Sequence, residues 1–208
     1  MADAGLAATA GGDLGVAVTA VEGAASAAGA AGLVVAALRG DGEMNLIRIM
    51  RHLSMGRAAV RRVFPLRALN AIEQAIHSTE ARHAGQIRFA IEASLELAPL
   101  LAGQTAQQRA VEVFSKLRVW DTEHNNGVLI YLLLADRDVE IVADRGIHVR
   151  LGQESWQAIC REMEAAFREG HFEAGVLAGI HAVGEHLARH FPARSDKSNE
   201  MPDSPVVL

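Results

Sequence analysis

The run "GVLIYLLLA", residues 127–135, constrains this chain more than any other stretch. It is too short to span a membrane and too apolar for a strand with one wet face, so it reads as a central strand covered on both sides. "DRD" follows as a tight turn into "VEIVAD", where Val139, Ile141 and Ala143 alternate with other residues. The two segments read as an antiparallel hairpin. Residue 126 opens one strand and residue 144 closes its partner, so both outer ends lie at one end of the sheet.

The flanking pattern extends this hairpin into a layered fold. Pro65 suits the first turn of a helix carrying Leu66, Leu69, Ile72 and Ile76, with Gly85 as its stop. "QIRFAIEA" alternates Ile87, Phe89 and Ile91 with Gln86, Arg88 and Ala90, the pattern of a half-buried strand. Thr105 and Gln108 make a capping box for a helix with Val113, Phe114 and Leu117. Beyond the hairpin, one helix carries Trp156, Ile159, Cys160, Met163 and Phe167 up to Gly170. A second carries Val176, Ile180, Val183 and Leu187 up to Phe191-Pro192. A helix between the first two strands makes them parallel through a right-handed crossover. The expected class is α/β: a three-layer α/β/α sandwich with a small mixed β-sheet and helices on both faces. A short extra edge strand is expected from residues before Pro65.

Four regions follow. Residues 1–43 are an Ala/Gly-rich low-complexity extension, expected to be disordered; they lack basic residues ahead of their apolar part, unlike an export signal. The ordinary composition that begins at Met44 raises Met44 or Met50 as the true start of translation. Residues 44–64 are a basic amphipathic segment, in which Leu46, Ile47, Met50, Leu53 and Met55 share the chain with Arg48, Arg51, Arg57, Arg61 and Arg62. That segment suits docking on the domain or peripheral contact with anionic lipid through residues 46–64. Residues 65–192 form the domain, and 193–208 a polar tail expected to be disordered.

A net charge of -5 over 208 residues offers no basic excess to neutralise phosphates, which argues against a nucleic-acid partner. Cys160 is the one cysteine, so no disulfide framework exists, and its apolar neighbours mark it as core. The histidine pairs His186/His190 and His77/His83, the latter with Glu80, have spacings that can clamp a metal. Both read instead as solvated helix faces. Asp136, Arg137 and Asp138 are accounted for by turn chemistry alone. No serine has a nucleophile-elbow context, and neither a phosphate-binding loop nor a dinucleotide fingerprint is present.

"GQIRFAIEA", "VFSKLRVWDTEHNNGVLIYLLLADRDVEIVADRGI" and "FEAGVLAGIHAVGEHLARHFP", taken in this order, resemble the TPM-domain family over roughly residues 65–192. The family is named for a thylakoid-lumen phosphatase-like protein, a photosystem II repair protein and a receptor modulator. The resemblance is strongest to short bacterial members, and it implies an α/β/α sandwich with a divalent cation, often calcium, near loops at one sheet end. Weak phosphatase activity is proposed for plant members, and roles in upkeep of membrane complexes for others. Two departures bear on the site. Asn125-Asn126-Gly127 stands where the family usually has Asp-Asn-Gly. Asp144-Arg145-Gly146-Ile147-His148 replaces a glycine-rich stretch followed by glutamate.

Asp121, Glu123, Asn126 and Asp144 are therefore the candidate ligands for Ca2+ or Mg2+, with main-chain oxygens completing the shell. The bland alternative is that Asp121 turns the chain, Asn126 takes a left-handed conformation and Asp144 pairs with Arg145 or Arg150. Arg145 is the candidate for neutralising a phosphate oxygen; no catalytic residue is assigned. The expected function is that of an accessory protein maintaining a membrane or envelope complex with an unidentified protein partner, located in the cytoplasm. The alternatives are a low-activity, metal-assisted phosphatase acting on phosphate monoesters, and a scaffold with an empty site.

Overall fold

The computed structural model describes residues 42–193 and 199–208. The Ala/Gly-rich extension lies outside the described residues, apart from its last two positions. The elements run α1 (Gly42–Ser54), α2 (Arg57–Val63), α3 (Leu66–Glu80), β1 (Gln86–Glu92), α4 (Leu97–Leu101), α5 (Ala106–Lys116), β2 (Gly127–Leu133), β3 (Asp138–Ala143), α6 (Arg145–Arg168), α7 (Phe172–His190) and β4 (Val206–Val207).

The sheet order is β3-β2-β1-β4. β1 and β2 are parallel, in register from Gln86↔Gly127 to Glu92↔Leu133. β3 returns antiparallel to β2, from Val128↔Ala143 to Leu133↔Asp138. The mixed sheet and its helical covers agree with the sequence reading. β2 is buried at every position, as its continuous apolar run requires.

Alternation along each strand splits the core into two layers. Ile87, Phe89, Ile91, Val128, Ile130 and Leu132 face one way and pack with residues of α2, α3, α6 and α7. Ala90, Leu129, Tyr131 and Leu133 face the other and meet Leu100 of α4 and Ala106, Ala110 and Val113 of α5. Each fully buried Leu, Ile or Phe contributes about 1.5–3 kcal/mol, so these two layers hold the sheet from both sides. The capping box of α5 is formed: Gln108 N–H donates to Thr105 Oγ1 at 3.2 Å and Thr105 N–H to Gln108 Oε1 at 3.0 Å.

Three expectations are corrected. The edge strand does not come from residues before Pro65, which are helical; it comes from the C-terminal tail. There β4 pairs parallel with β1 (Ala90↔Val206, Ile91↔Val207), Leu208 N–H donates to Ile91 O at 2.9 Å, and Met201 is buried. The apolar Pro-Val-Val-Leu ending supplies strand-forming residues that a mainly polar composition hides. β1, in consequence, is not half-buried: only Arg88 is partly exposed, and its guanidinium donates to Pro202 O and to Ser204 O. Nor do His77, Glu80 and His83 form a solvated face. His77 is exposed, but Glu80 and His83 are buried, and Glu80 Oε1 accepts from Ile87 N–H at 2.6 Å.

Candidate functional site

The loop between α5 and β2 is shaped by its backbone. Arg118 and Asn125 both take positive φ, 54° and 51°. Asn125, not Asn126, therefore adopts the left-handed conformation expected of this segment. Thr122 is buried and its Oγ1 accepts Asn126 N–H at 3.0 Å, which closes the loop on itself.

Asn126 is buried at the head of β2. Its Nδ2 donates to Ala84 O at 2.7 Å, and its own carbonyl accepts Gln86 N–H at 3.0 Å, so it staples the head of β2 to the entry of β1. Asp144 follows β3 and caps α6. Its N–H donates to Gly127 O at 2.9 Å and its Oδ1 accepts Arg145 N–H at 2.6 Å. The hairpin ladder thus carries Asn126 and Asp144 to the same sheet end.

Gly146 completes the arrangement. An ideal Cβ there would stand 2.5 Å from Asn125 O and 3.2 Å from His124 O. Only a glycine lets the first turn of α6 lie so close to these two carbonyls. Asn126 Oδ1 and Asp144 Oδ2 are each buried with no hydrogen-bond partner among the described residues.

Asp121 and Glu123 are placed differently. Both side chains are exposed; Asp121 N–H donates to Arg118 O at 3.0 Å in a turn. Glu123 N–H donates to Glu200 Oε2 at 2.9 Å, so the C-terminal tail reaches this loop. Among the described residues, no three His, Cys, Asp or Glu side chains gather closely enough to hold a metal. The acceptors at this sheet end are a single carboxylate, an amide and main-chain carbonyls. Arg145 stands exposed at the head of α6, with its backbone N–H held by Asp144.

Sequence reasoning missed two charged clusters. Asp136 is more than a turn residue: Arg48 Nε lies 2.9 Å from its Oδ2, and Arg51 Nη2 and His52 Nε2 lie 3.4 and 3.1 Å from its Oδ1. Glu92, at the carboxyl end of β1, receives Arg109 and the Tyr131 hydroxyl. Both clusters join residues far apart in sequence and leave no local spacing to find.

The sequence matches the TPM domain over residues 62–186, from the end of α2 into α7. The fold matches the NMR structure of the BA42 protein from the psychrophilic bacterium Bizionia argentinensis, with a TM-score of 0.61 and 30% identity. That alignment covers 68% of this chain and 93% of that one. A comparison with curated proteins finds no match. α1 and β4 lie outside the matched segment, whereas the hairpin, its acceptor-lined end and both helical layers lie inside it. By that shared domain and a solved structure alike in sequence and fold, the chain belongs to the TPM-domain family.

Proposed function

We propose that this protein is an accessory TPM-domain protein that binds a divalent cation at the hairpin end and acts in upkeep of a membrane or envelope complex. The observation that carries the cation is the pair of buried acceptors without donors, Asn126 Oδ1 and Asp144 Oδ2. Leaving such an oxygen unpaired costs roughly 1–3 kcal/mol, which an oxygen-seeking cation would offset. The His124 and Asn125 carbonyls beside Gly146 add neutral oxygens. Asp121 and Glu123 are further carboxylates of the same loop, open to solvent. This set fits a hard cation held weakly, and calcium better than magnesium, because calcium tolerates irregular oxygen shells.

Amide NMR on metal-free protein titrated with calcium, then magnesium, tests this reading. Saturable shifts confined to residues 121–127 and 144–147, lost in Asp144→Asn, are expected. An unchanged spectrum at millimolar calcium would remove the cation from the proposal. Metal-dependent turnover of a phosphate monoester, abolished by the same variant, would instead support the phosphatase alternative, with Arg145 facing the phosphate.

A second observation favours contact with a membrane surface. Leu46, Ile47, Met50 and Leu53 are exposed along one stripe of α1, and Arg51, Arg57, Arg61 and Arg62 are exposed on α1 and α2. Apolar residues flanked by arginines suit an anionic lipid interface. Among the described residues no helix is long and apolar enough to cross a membrane, so this contact is peripheral. Co-flotation with phosphatidylserine vesicles, weakened by Met50→Ser with Leu53→Ser, is the expected result. The reading assigns the protein to the cytoplasm, and cell fractionation checks that assignment.

A further inference from the structure

Among the described residues β3 is the outer strand of the sheet, with no strand on its far side. A groove of about 620 Å³ runs along that edge, between Gln107 and Val111 of α5 and the face of α6 that carries Trp156, Cys160 and Glu164. Its floor is Val139 to Ala143. An exposed strand edge presents a row of N–H and C=O groups to any extended chain that fits beside it.

The outward backbone groups of β3 are poorly served. Asp144 N–H bonds back to β2, so the even-numbered N–H groups face β2 and those of Val139 and Ile141 face the groove. Val139 N–H reaches Glu164 Oε1 only at 3.5 Å, at the limit of a hydrogen bond. The Ile141 backbone meets the Cys160 sulfur, a weak acceptor. Trp156 is buried against the same groove, and its Nε1–H has no acceptor among the described residues. An added strand would supply carbonyl oxygens to all three donors.

The two walls specify what such a strand carries. Ile141 and Ala143 pack toward α6, whereas Val142 packs toward α5. Alternation therefore sends Asp138 and Glu140 to the α5 side. One face of an incoming strand would meet these carboxylates, and the other would meet Trp156 and Cys160. Glu140 and Glu164 are the two carboxylates of the lining and Arg161 is its one basic residue; Asp138 stands one strand repeat beyond Glu140 on the same face. Helices flank this edge on both sides, α5 through Gln107 and Val111 and α6 through Trp156 and Cys160.

We propose that the β3 edge groove binds an extended peptide segment of alternating basic and apolar residues by strand addition, basic side chains toward Asp138 and Glu140 and apolar ones toward Trp156. Burial, with repulsion from neighbouring carboxylates, raises Asp138 to about 6 and Glu140 to about 7, and a lysine bound beside them would oppose the repulsion. The groove is separate from the acceptor-lined hairpin end, and the two respond to different ligands.

The probe is the capped peptide Lys-Val-Lys-Val-Lys-Val, titrated into isotopically labelled full-length protein at low salt. The expected result is saturable shifts at Val139–Ala143 and at the Trp156 indole N–H, with slowed exchange of the Val139 and Ile141 amides. Glu140→Lys, at a partly exposed position, should weaken binding by about tenfold and admit Glu-Val-Glu-Val-Glu-Val instead. Wild-type protein binding both peptides equally would overturn the charge assignment and with it the proposal. So would shifts that avoid residues 139–143, an unchanged spectrum at millimolar peptide, or concentration-dependent shifts at those residues without peptide, which would make the occupant a second copy.

Discussion

Arg109 grips Glu92 through two parallel hydrogen bonds, Nε to Oε2 at 2.8 Å and Nη2 to Oε1 at 2.9 Å. Tyr131 donates its hydroxyl to the same Oε2 at 2.7 Å, and Arg109 Nη1 also reaches Glu112 at 2.9 Å. The buried carboxylate is thereby satisfied from both the sheet and α5, and burial beside Glu92 raises the Tyr131 phenol above its ordinary range. Removing one partner should hurt unequally. Tyr131→Phe leaves the Arg109 fork intact and should cost about 1–2 kcal/mol in urea unfolding. Arg109→Leu strands the carboxylate and should cost about 3–5 kcal/mol. Equal losses would show that the fork gives no advantage.

His52 couples α1 to the hairpin turn. Leu95 N–H donates to its Nδ1 at 3.0 Å, so the ring hydrogen sits on Nε2, 3.1 Å from Asp136. Burial outweighs Asp136 and lowers the His52 pKa, with Arg48 and Arg51 adding to the lowering. The stability this gives is present above the ordinary histidine value of 6.5 and is lost as pH falls below it. Amide protection factors in α1, corrected for intrinsic exchange, should fall as pH drops below 6.5 while those of β2 hold; His52→Gln should remove that pH dependence.

Asp138 and Glu140 predict the opposite slope. Burial, then Glu164 and Asp136, lift Asp138 to about 6 against a weaker opposing pull from Arg48. Burial, then Asp138 and Glu164, lift Glu140 to about 7. Both bind protons more tightly folded than unfolded. Their contribution is therefore full below the ordinary values of 3.8 and 4.5 and is lost as pH rises through 6 and 7. Glu140→Gln should stabilise the protein by about 1 kcal/mol at pH 8, allowing for solvent screening, and change little at pH 4. Thermal melts at the two pH values measure the difference.

Gly146 offers a test of the cation proposed for the hairpin end that spares every candidate side-chain ligand. A methyl group there meets the Asn125 carbonyl, so Gly146→Ala should push the loop from α6 and lower calcium affinity by about tenfold. The amide pattern of β1 and β2 should be retained. Calorimetric affinity unchanged from wild type would mean that the close approach plays no part in binding.

Local patterns made much of this fold legible. The continuous apolar run of β2, the capping box at Thr105 and the helical spacing of Val176, Ile180, Val183 and Leu187 each describe their own environment, and each is buried or capped as expected. What escaped the sequence depends on remote partners. Arg88 looks like a wet-face residue until residues 202–204 cover it, and Asp136 looks like a turn residue until α1 arrives. At the hairpin end, the hairpin register places Asn126 and Asp144 at the same end of the sheet. It carries no information on whether Asp121 and Glu123 turn inward, because loop side chains have no period.

The sequence separation of β4 from β1 bears on the order in which the sheet can form. Its partners on β1 precede it by more than half the chain, with α4 to α7 lying between Ala90 and Val206. Closing so long a loop for two residues of strand is entropically unrewarding until the intervening elements have packed. The central hairpin and its helices can therefore assemble first, leaving the β1 edge open for an interval. During that interval the segment that carries β4 competes with any foreign strand for the same edge, which is an adhesive flank until β4 covers it.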